Sequence, residues 1–147
     1  MLVLAATNAP WDVDEALKRP GRFDRTVFVP PPDEPARRRI LELGVADRPQ
    51  EKLNLGKLAK RTALFSGADL RALVERALDH VIDEALDAGE QRPLRQEHFE
   101  RALEDMRPST LEWLANARNH VEFANQSGRY DEVRTFLVSK EARAWSD

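Results

Sequence analysis

Residues 66–89, which read SGADLRALVERALDHVIDEALDAG, form the most strongly patterned segment of the sequence. Ser66 and Asp69 have the spacing of a capping box, and Gly89 is suited to end a helix in a left-handed conformation. Apolar residues recur between them at the three- and four-residue spacing of one helix face, namely Leu70, Leu73, Val74, Ala77, Leu78, Val81, Ile82, Ala85 and Leu86. The segment therefore predicts one long amphipathic helix with a buried face.

Shorter helices are predicted on both sides of this segment. Asp33 and Asn54 are suitable N-cap residues, and Ser109 with Glu112 has the spacing of a second capping box. Between these caps and the following turns, apolar residues again recur at helical spacing. The predicted helices run from Asp33 to the turn at 47–49, over 55–63, over 96–106, from Ser109 to about Gly128, and over 130–138.

The first 32 residues have a different character. Residues 1–6 (MLVLAA) and 26–29 (TVFV) are typical of buried β-strands, and a short helix is predicted at 13–18 behind a capping box of Asp12 and Glu15. Three prolines at 30–32 mark a boundary. Two strands alone do not make a stable sheet, so this segment is interpreted as the end of an α/β subdomain. We expect its first strand to be disordered or paired with another copy of the chain.

Composition excludes several classes of protein. The sequence has 147 residues and no cysteine, which rules out disulfides and thiolate metal sites, and no signal peptide is evident, so a cytoplasmic location is expected. The longest apolar run, at 1–6, is far below the roughly 20 residues of a membrane span. A net charge of -3 with interspersed charges does not favour nucleic-acid binding. Two further sets of residues are expected to lie on helix surfaces and to bind neither a metal nor an anion. They are His80, His98 and His120, and Arg37, Arg38 and Arg39.

Residues 3–32, VLAATNAPWDVDEALKRPGRFDRTVFVPPP, closely resemble the second region of homology of the classical clade of AAA ATPases. The resemblance implies that Asn8 is the sensor of the γ-phosphate or of the attacking water. It also implies that Arg19 and Arg22 are arginine fingers that reach the nucleotide of a neighbouring subunit. Considered without the family, Asn8 ends a strand, and the two arginines are surface charges around a turn.

Two further stretches resemble the helical lid of the same family, namely 30–43 (PPPDEPARRRILEL) and 66–78 (SGADLRALVERAL). By this resemblance Ile40 touches the adenine, and Gly67 and Ala68 approach the base and ribose from a helix N-terminus. Many close relatives carry a ribose-contacting histidine where this chain has Gly44. Relatives outside the classical clade often carry an arginine sensor where this chain has Ala68. Without a ligand, Gly67 is simply a first-turn residue.

The resemblance implies a mainly α chain in three parts: an α/β remnant of the ATPase subdomain (1–32), a four-helix AAA+ lid (33–107) and a C-terminal helical extension (108–147). Residues 107–123, RPSTLEWLANARNHVEF, loosely resemble the C-terminal helix of remodelling members such as katanin and the vacuolar-sorting ATPases. The parent protein is then expected to be an ATP- and Mg²⁺-dependent hydrolase. It would form a homo-oligomeric ring, expected to be a hexamer, that remodels or unfolds a protein substrate.

The sequence contains no G-x-x-x-x-G-K-[ST] loop and no apolar run that ends in paired acids. The first would hold the β- and γ-phosphates, and the second would bind magnesium and polarise water. The chain alone is therefore predicted not to hydrolyse ATP. The alternative function is a non-catalytic module for protein interaction or self-association. Its contact surface would be Trp113, Phe123, Tyr130, Phe136 and Trp145.

Overall fold

The structure, a computed structural model, describes residues 2–125 and 128–143, without the side chains of residues 124, 140 and 141. Within these ranges the chain is helical, which confirms the predicted mainly α fold. The helices are α1 (Glu34–Val45), α2 (Leu55–Arg61), α3 (Gly67–Ala88), α4 (Gln96–Glu104), α5 (Thr110–Ala124), α6 (Asp131–Leu137) and α7 (Lys140–Arg143). None of the helices in these ranges has the length and apolar character needed to cross a membrane.

The predicted caps at Asp33, Asn54 and Ser66 are confirmed, but the predicted capping box of Ser109 and Glu112 is not, because the Ser109 N–H and hydroxyl both donate to Asp69 Oδ2. Asp33 Oδ1 accepts a hydrogen bond from the Ala36 N–H at 2.9 Å, and Asn54 Oδ1 accepts one from the Lys57 N–H at 2.9 Å. At the start of α3 the capping box forms in both directions, and α3 ends at Gly89 with a φ of 70°. These caps depend on residues three or four positions apart, which is why the sequence alone locates them.

One compact unit spans Pro31–Leu111 and contains α1 to α4. Helix α3 packs against both α1 and α4, and α1 also packs against α2. A short parallel bridge joins Gln50 and Leu94. The core of this unit consists of Leu41, Val45, Leu58, Phe65, Leu70, Leu73, Val74, Ala77, Val81, Leu94, Phe99, Ala102 and Leu103.

The loop between α2 and α3 has an unusual backbone conformation at Leu64. Its φ is 63°, in the left-handed region that bulky residues rarely adopt, although its side chain is 1% exposed. Leu64 O accepts a hydrogen bond of 2.6 Å from Thr110 Oγ1. On the other side of the loop the Thr62 hydroxyl donates to Leu58 O at 2.9 Å. Tertiary contacts thus hold a conformation that the local sequence disfavours.

The second unit combines Met1–Pro30 with Glu112–Asp147. Aromatic rings join its two segments. Trp11 stacks on His120 with ring centroids 4.4 Å apart, and Phe28 lies 5.8 Å from Trp113 and 5.6 Å from Phe136. These packed rings take the place that a sheet would have in holding the N-terminal segment.

The strands predicted at 1–6 and 26–29 do not form. The structure describes residues 2–6 and 26–29, and neither range is a strand. The side chains of Leu2, Leu4 and Val27 are 84%, 85% and 77% exposed. Neither segment has the neighbouring strands that would satisfy its backbone and cover its faces. The expectation that the first segment pairs with another copy stays a prediction, and Met1 lies outside the described residues.

The predicted short helix at 13–18 is wrong. Residues 15–18 form turns in which the Leu17 N–H donates to Asp14 O at 2.9 Å and the Lys18 N–H donates to Glu15 O at 3.2 Å. Bonds of this three-residue reach make turns and not an α-helix. The expected box does not form, because Glu15 pairs with Lys18 and Arg129. Pro20 and Gly21 follow too closely for a regular helix to develop.

Candidate functional site

The arginines predicted to act as fingers lie in a tight exposed turn. Gly21 has a φ of 83° at its centre, and the Arg22 N–H donates to Arg19 O at 3.1 Å. Arg22 Nη1 donates to Ala16 O at 2.9 Å, so its guanidinium is partly used within the turn. The Arg19 guanidinium is exposed and has no hydrogen-bond or ion-pair partner within the described residues. Arg19 can therefore bind an external anion without breaking an existing contact.

Asn8 is fixed through its backbone. Its carbonyl oxygen accepts a hydrogen bond from Trp113 Nε1, and the next residue, Ala9, donates its N–H to Thr7 Oγ1 at 3.0 Å. The Asn8 side chain is exposed. Its amide has no partner in the part of the chain that the structure describes. An anchored backbone with an unengaged amide suits a residue that contacts a ligand.

The N-terminus of α3 presents Gly67 and Ala68, the residues predicted to approach the base and ribose. A Cβ added at Gly67 would meet no atom within 4 Å, so the space beside this backbone is open. Ala68 is exposed. The Asp69 carboxylate already caps this turn and places a negative charge there. The site therefore suits a neutral ring edge better than a phosphate.

Ile40 and Gly44 lie on α1, one turn apart. Ile40 is half-buried and packs against the core of the Pro31–Leu111 unit. A Cβ added at Gly44 would lie 3.1 Å from Val74 Cγ2 on α3, which is tighter than an ordinary contact. Gly44 therefore has a packing function, because its missing side chain allows α1 and α3 to approach closely. A histidine at this position would require Val74 to move.

The predicted site residues divide between the two units. Asn8, Arg19 and Arg22 belong to the unit that combines Met1–Pro30 with Glu112–Asp147, and the remaining predicted residues, Ile40, Gly44, Gly67 and Ala68, belong to Pro31–Leu111. Among the described residues no group of three or more His, Cys, Asp or Glu side chains could hold a metal ion.

Two residues expected on helix surfaces are buried. His98 is fully buried, where its Nδ1 accepts the Arg95 N–H at 2.9 Å and its Nε2 lies 3.0 Å from Glu84 Oε2. Since Nδ1 accepts, Nε2 carries the proton and donates it to Glu84. This hydrogen bond is the main cause that lowers the pKa of Glu84, with the nearby positive charge of Arg101 as a further cause. The partners of His98 come from another helix, so its sequence spacing did not reveal them.

Arg37 is the second exception. It is 2% exposed, and its Nε donates to Ala59 O at 2.9 Å while its Nη1 donates to Pro32 O at 2.7 Å. Arg38 and Arg39 are exposed and pair with Glu42, as expected of a solvated helix face. One feature of the sequence could have predicted this burial. Arg37 lies three residues before Ile40, which places it on the apolar side of α1.

Comparison with known proteins identifies a family match within the Pro31–Leu111 unit. Residues 52–100, from the loop before α2 into α4, match the family model described as the AAA+ lid domain. The chain carries an AAA+ lid domain. Its relatives are AAA ATPases, so the predicted resemblance is confirmed at the level of the family.

Two curated relatives and one solved structure illustrate the similarity around this lid. The chain is 41% identical over 121 residues to the ATPase family gene 2 protein homolog B of Mus musculus, which covers 81% of this chain and 16% of that protein. It is 38% identical over 143 residues to the cell division control protein 48 homolog B of Arabidopsis thaliana, covering 97% of this chain and 23% of that protein. A structure solved for katanin self-assembly superposes with a TM-score of 0.64 at 34% identity, covering 71% of this chain and 41% of that one.

The lid-bearing chain thus spans less than a quarter of the length of these curated relatives. The comparisons support an AAA-family lid region and a mainly α fold. The individual roles of Asn8, Arg19, Arg22, Ile40 and the α3 N-terminus stay predictions.

Proposed function

We propose that this chain is part of an ATP-hydrolysing AAA ring ATPase. In this proposal Asn8 senses the γ-phosphate, Arg19 and Arg22 act on the nucleotide of a neighbouring subunit, and the lid contacts the adenosine. Mg²⁺ and the phosphate-binding loop would come from parts of the protein outside this sequence. The support is the AAA+ lid match, the sequence resemblance of 3–32, and the exposure of Asn8, Arg19 and Arg22.

The observation that carries the proposal is that the Arg19 guanidinium is unengaged, while the Arg22 guanidinium in the same turn is anchored. Phosphoryl transfer develops negative charge on the γ-phosphate oxygens, and a planar guanidinium supplies several donors to them at once. An arginine that has no internal partner loses no contact when it binds this charge. Arg22 would keep the turn in a fixed shape through the bond from Nη1 to Ala16 O, and its other guanidinium N–H groups would act on the nucleotide together with Arg19.

The lid residues would hold the other end of the nucleotide. Gly67 leaves open space beside the backbone at the N-terminus of α3, and Ala68 adds only a methyl group there. Ile40 offers an apolar side chain for the adenine ring. ATP supplies the phosphoanhydride bond when it is bound, and these residues would only bind and orient its base and ribose.

Because the arginines would act in trans, a ring assembly is part of the proposal. Head-to-tail contacts between identical subunits close into rings, and such contacts place one subunit's arginines at the next subunit's site. The solved katanin structure concerns self-assembly of that protein. We extend the proposal to a cytoplasmic homo-oligomer, of six subunits by the family pattern, that remodels a protein substrate.

The alternative function as an interaction module has one favourable observation, the 76% exposure of Phe123. Three of its other predicted contact residues, Trp113, Tyr130 and Phe136, are half-buried or buried. Trp113 and Phe136 also pack against Phe28. Trp145 lies outside the described residues. Most of the expected contact surface is therefore engaged inside its own unit.

A complementation experiment tests the proposal in the protein that carries this segment together with a phosphate-binding loop. Arg19→Ala alone should lower kcat by about a hundredfold or more, because one preorganised donor to the transition state is lost. A second inactive variant keeps Arg19 but carries Ala in place of the phosphate-loop lysine. Mixing the two should restore part of the activity, since an intact arginine then meets an intact loop. The isolated chain should show no turnover.

Arg25→Ala is the matched control, because Arg25 is an exposed arginine of the same segment with no partner in the described chain. It should leave ATP hydrolysis close to that of the unchanged protein. Equal losses for Arg19→Ala and Arg25→Ala would point to the charge of the segment and contradict a specific finger. Absence of recovery in the mixture, with ring assembly intact, would contradict action in trans.

A further inference from the structure

Asp69 connects the start of α3 to the start of α5. Its Oδ2 accepts hydrogen bonds from the Ser66 N–H at 2.8 Å, from the Ser109 N–H at 3.1 Å and from the Ser109 hydroxyl at 2.9 Å. In return, Ser66 Oγ accepts the Asp69 N–H at 3.1 Å. A capping box needs only the two bonds within α3. The two bonds from Ser109 are additional, and they come from 40 residues further along the chain.

A second contact joins the same two regions. Thr110, the first residue of α5, donates its hydroxyl to Leu64 O, and Leu64 has the left-handed backbone described above. Leu64 precedes the Ser66 cap by two residues. Strained backbone conformations persist where surrounding contacts hold them, and they cluster at ligand-binding sites. We name the set Asp69, Ser109, Thr110 and the Leu64 carbonyl the Asp69 clamp.

We infer that the Asp69 clamp positions Gly67 and Ala68 against the adenine, which makes Asp69, Ser109 and Thr110 positioning residues for nucleotide binding. The inference rests on the proposed function of the α3 N-terminus. Gly67 and Ala68 lie between the two clamped points, at Leu64 and Asp69. Their own side chains contribute almost nothing to hold them, so the clamp sets where their backbone meets a ligand.

The clamp acts on recognition of the base and not on the phosphates. The Asp69 carboxylate keeps a negative charge at the helix end, which disfavours a phosphate there. A small displacement of this turn changes the fit to a ring edge whose donors and acceptors are specific to adenine. Loosening the clamp should therefore weaken the binding of ATP more than the binding of GTP, and so reduce the preference for ATP over GTP.

The test combines Ser109→Ala and Thr110→Val in one variant of the full protein and compares it with the unchanged protein. ATP and GTP are each titrated in competition with a fluorescent ADP. We expect ATP affinity to fall roughly three- to tenfold, as for the loss of one or two hydrogen bonds, and GTP affinity to fall less. Ser109→Thr with Thr110→Ser retains both hydroxyls and should restore ATP affinity. Ser109→Asp should lower ATP affinity further, because it places a second carboxylate beside Asp69.

The matched control is Thr135→Val with Ser139→Ala, which removes two hydroxyls whose bonds stay within residues 131–142. It should leave both affinities unchanged. An equal loss of ATP and GTP affinity, or an equal effect of the control pair, would overturn the positioning role. Thermal unfolding of each variant, measured alongside, should begin above the temperature of the titration.

Gly67→Trp separates this inference from the proposed function, because it fills the open space at the α3 N-terminus. If Gly67→Trp abolishes ATP binding while loss of the hydroxyls has no effect, the site is where we propose and the clamp inference is wrong. If Gly67→Trp leaves ATP binding unchanged, the proposed lid site is itself wrong, and with it the clamp inference.

Discussion

Replacement of Gly44 by alanine should destabilise the chain, although Gly→Ala within a helix ordinarily stabilises it by up to about 1 kcal/mol. The new Cβ would lie 3.1 Å from Val74 Cγ2. Val74 is β-branched, buried on α3 and unable to change rotamer easily. Overpacking of this kind typically costs about 1–3 kcal/mol, which leaves a net loss of roughly 0–2 kcal/mol. Urea unfolding followed by circular dichroism measures the difference.

Gly56→Ala is the matched control, since its Cβ would meet only Asn54 Oδ1 at an ordinary 3.6 Å. It should be neutral or stabilising, so that the two alanine variants differ by about 1–3 kcal/mol. Adding Val74→Ala to Gly44→Ala should recover part of the loss as a coupling energy of about 1 kcal/mol. The packing explanation is refuted if Gly44→Ala stabilises the chain as much as Gly56→Ala does.

Two further predictions concern the buried polar residues. Arg37→Met should lower the free energy of unfolding by about 2–4 kcal/mol, because it removes the charged donor to Ala59 O, whereas Arg38→Met at an exposed position should change it by less than about 0.5 kcal/mol in the same urea titration. The pKa of Glu84 is lowered in the folded state, chiefly by the hydrogen bond from His98, so its stabilising effect is present above the ordinary pKa and is lost as pH falls through the folded pKa. Unfolding of Glu84→Gln and of the unchanged chain should therefore converge as pH is lowered from 6 towards 3, and a constant difference over that range would contradict this linkage.

Features that depend on neighbouring residues could be predicted from the sequence. The caps at Asp33, Asn54 and Ser66, and the stop at Gly89, each involve groups within one helical turn. The long apolar stripe of α3 likewise follows from spacing alone. For the candidate site, the sequence identified Arg19 and Gly67, and the structure adds that one lacks an internal partner and the other faces open space.

Features that depend on distant partners could not be predicted. His98 can be buried because Glu84, on a different helix, accepts a hydrogen bond from its protonated Nε2. The apolar pattern of 1–6 predicts a strand, but a strand forms only beside another strand. The function of Gly44 in packing depends on Val74, thirty positions away. The link from Ser109 to Asp69 is invisible for the same reason.

The left-handed Leu64 restricts which amino acids its position can accept. Glycine would relax the backbone but leave a hole in the core, and asparagine would tolerate the conformation but place an amide where the side chain is 1% exposed. Valine and isoleucine, branched at Cβ, fit the left-handed region worst. Leucine and the unbranched methionine remain as the side chains that satisfy both demands. Natural variation at this position should therefore be narrower than burial alone would impose.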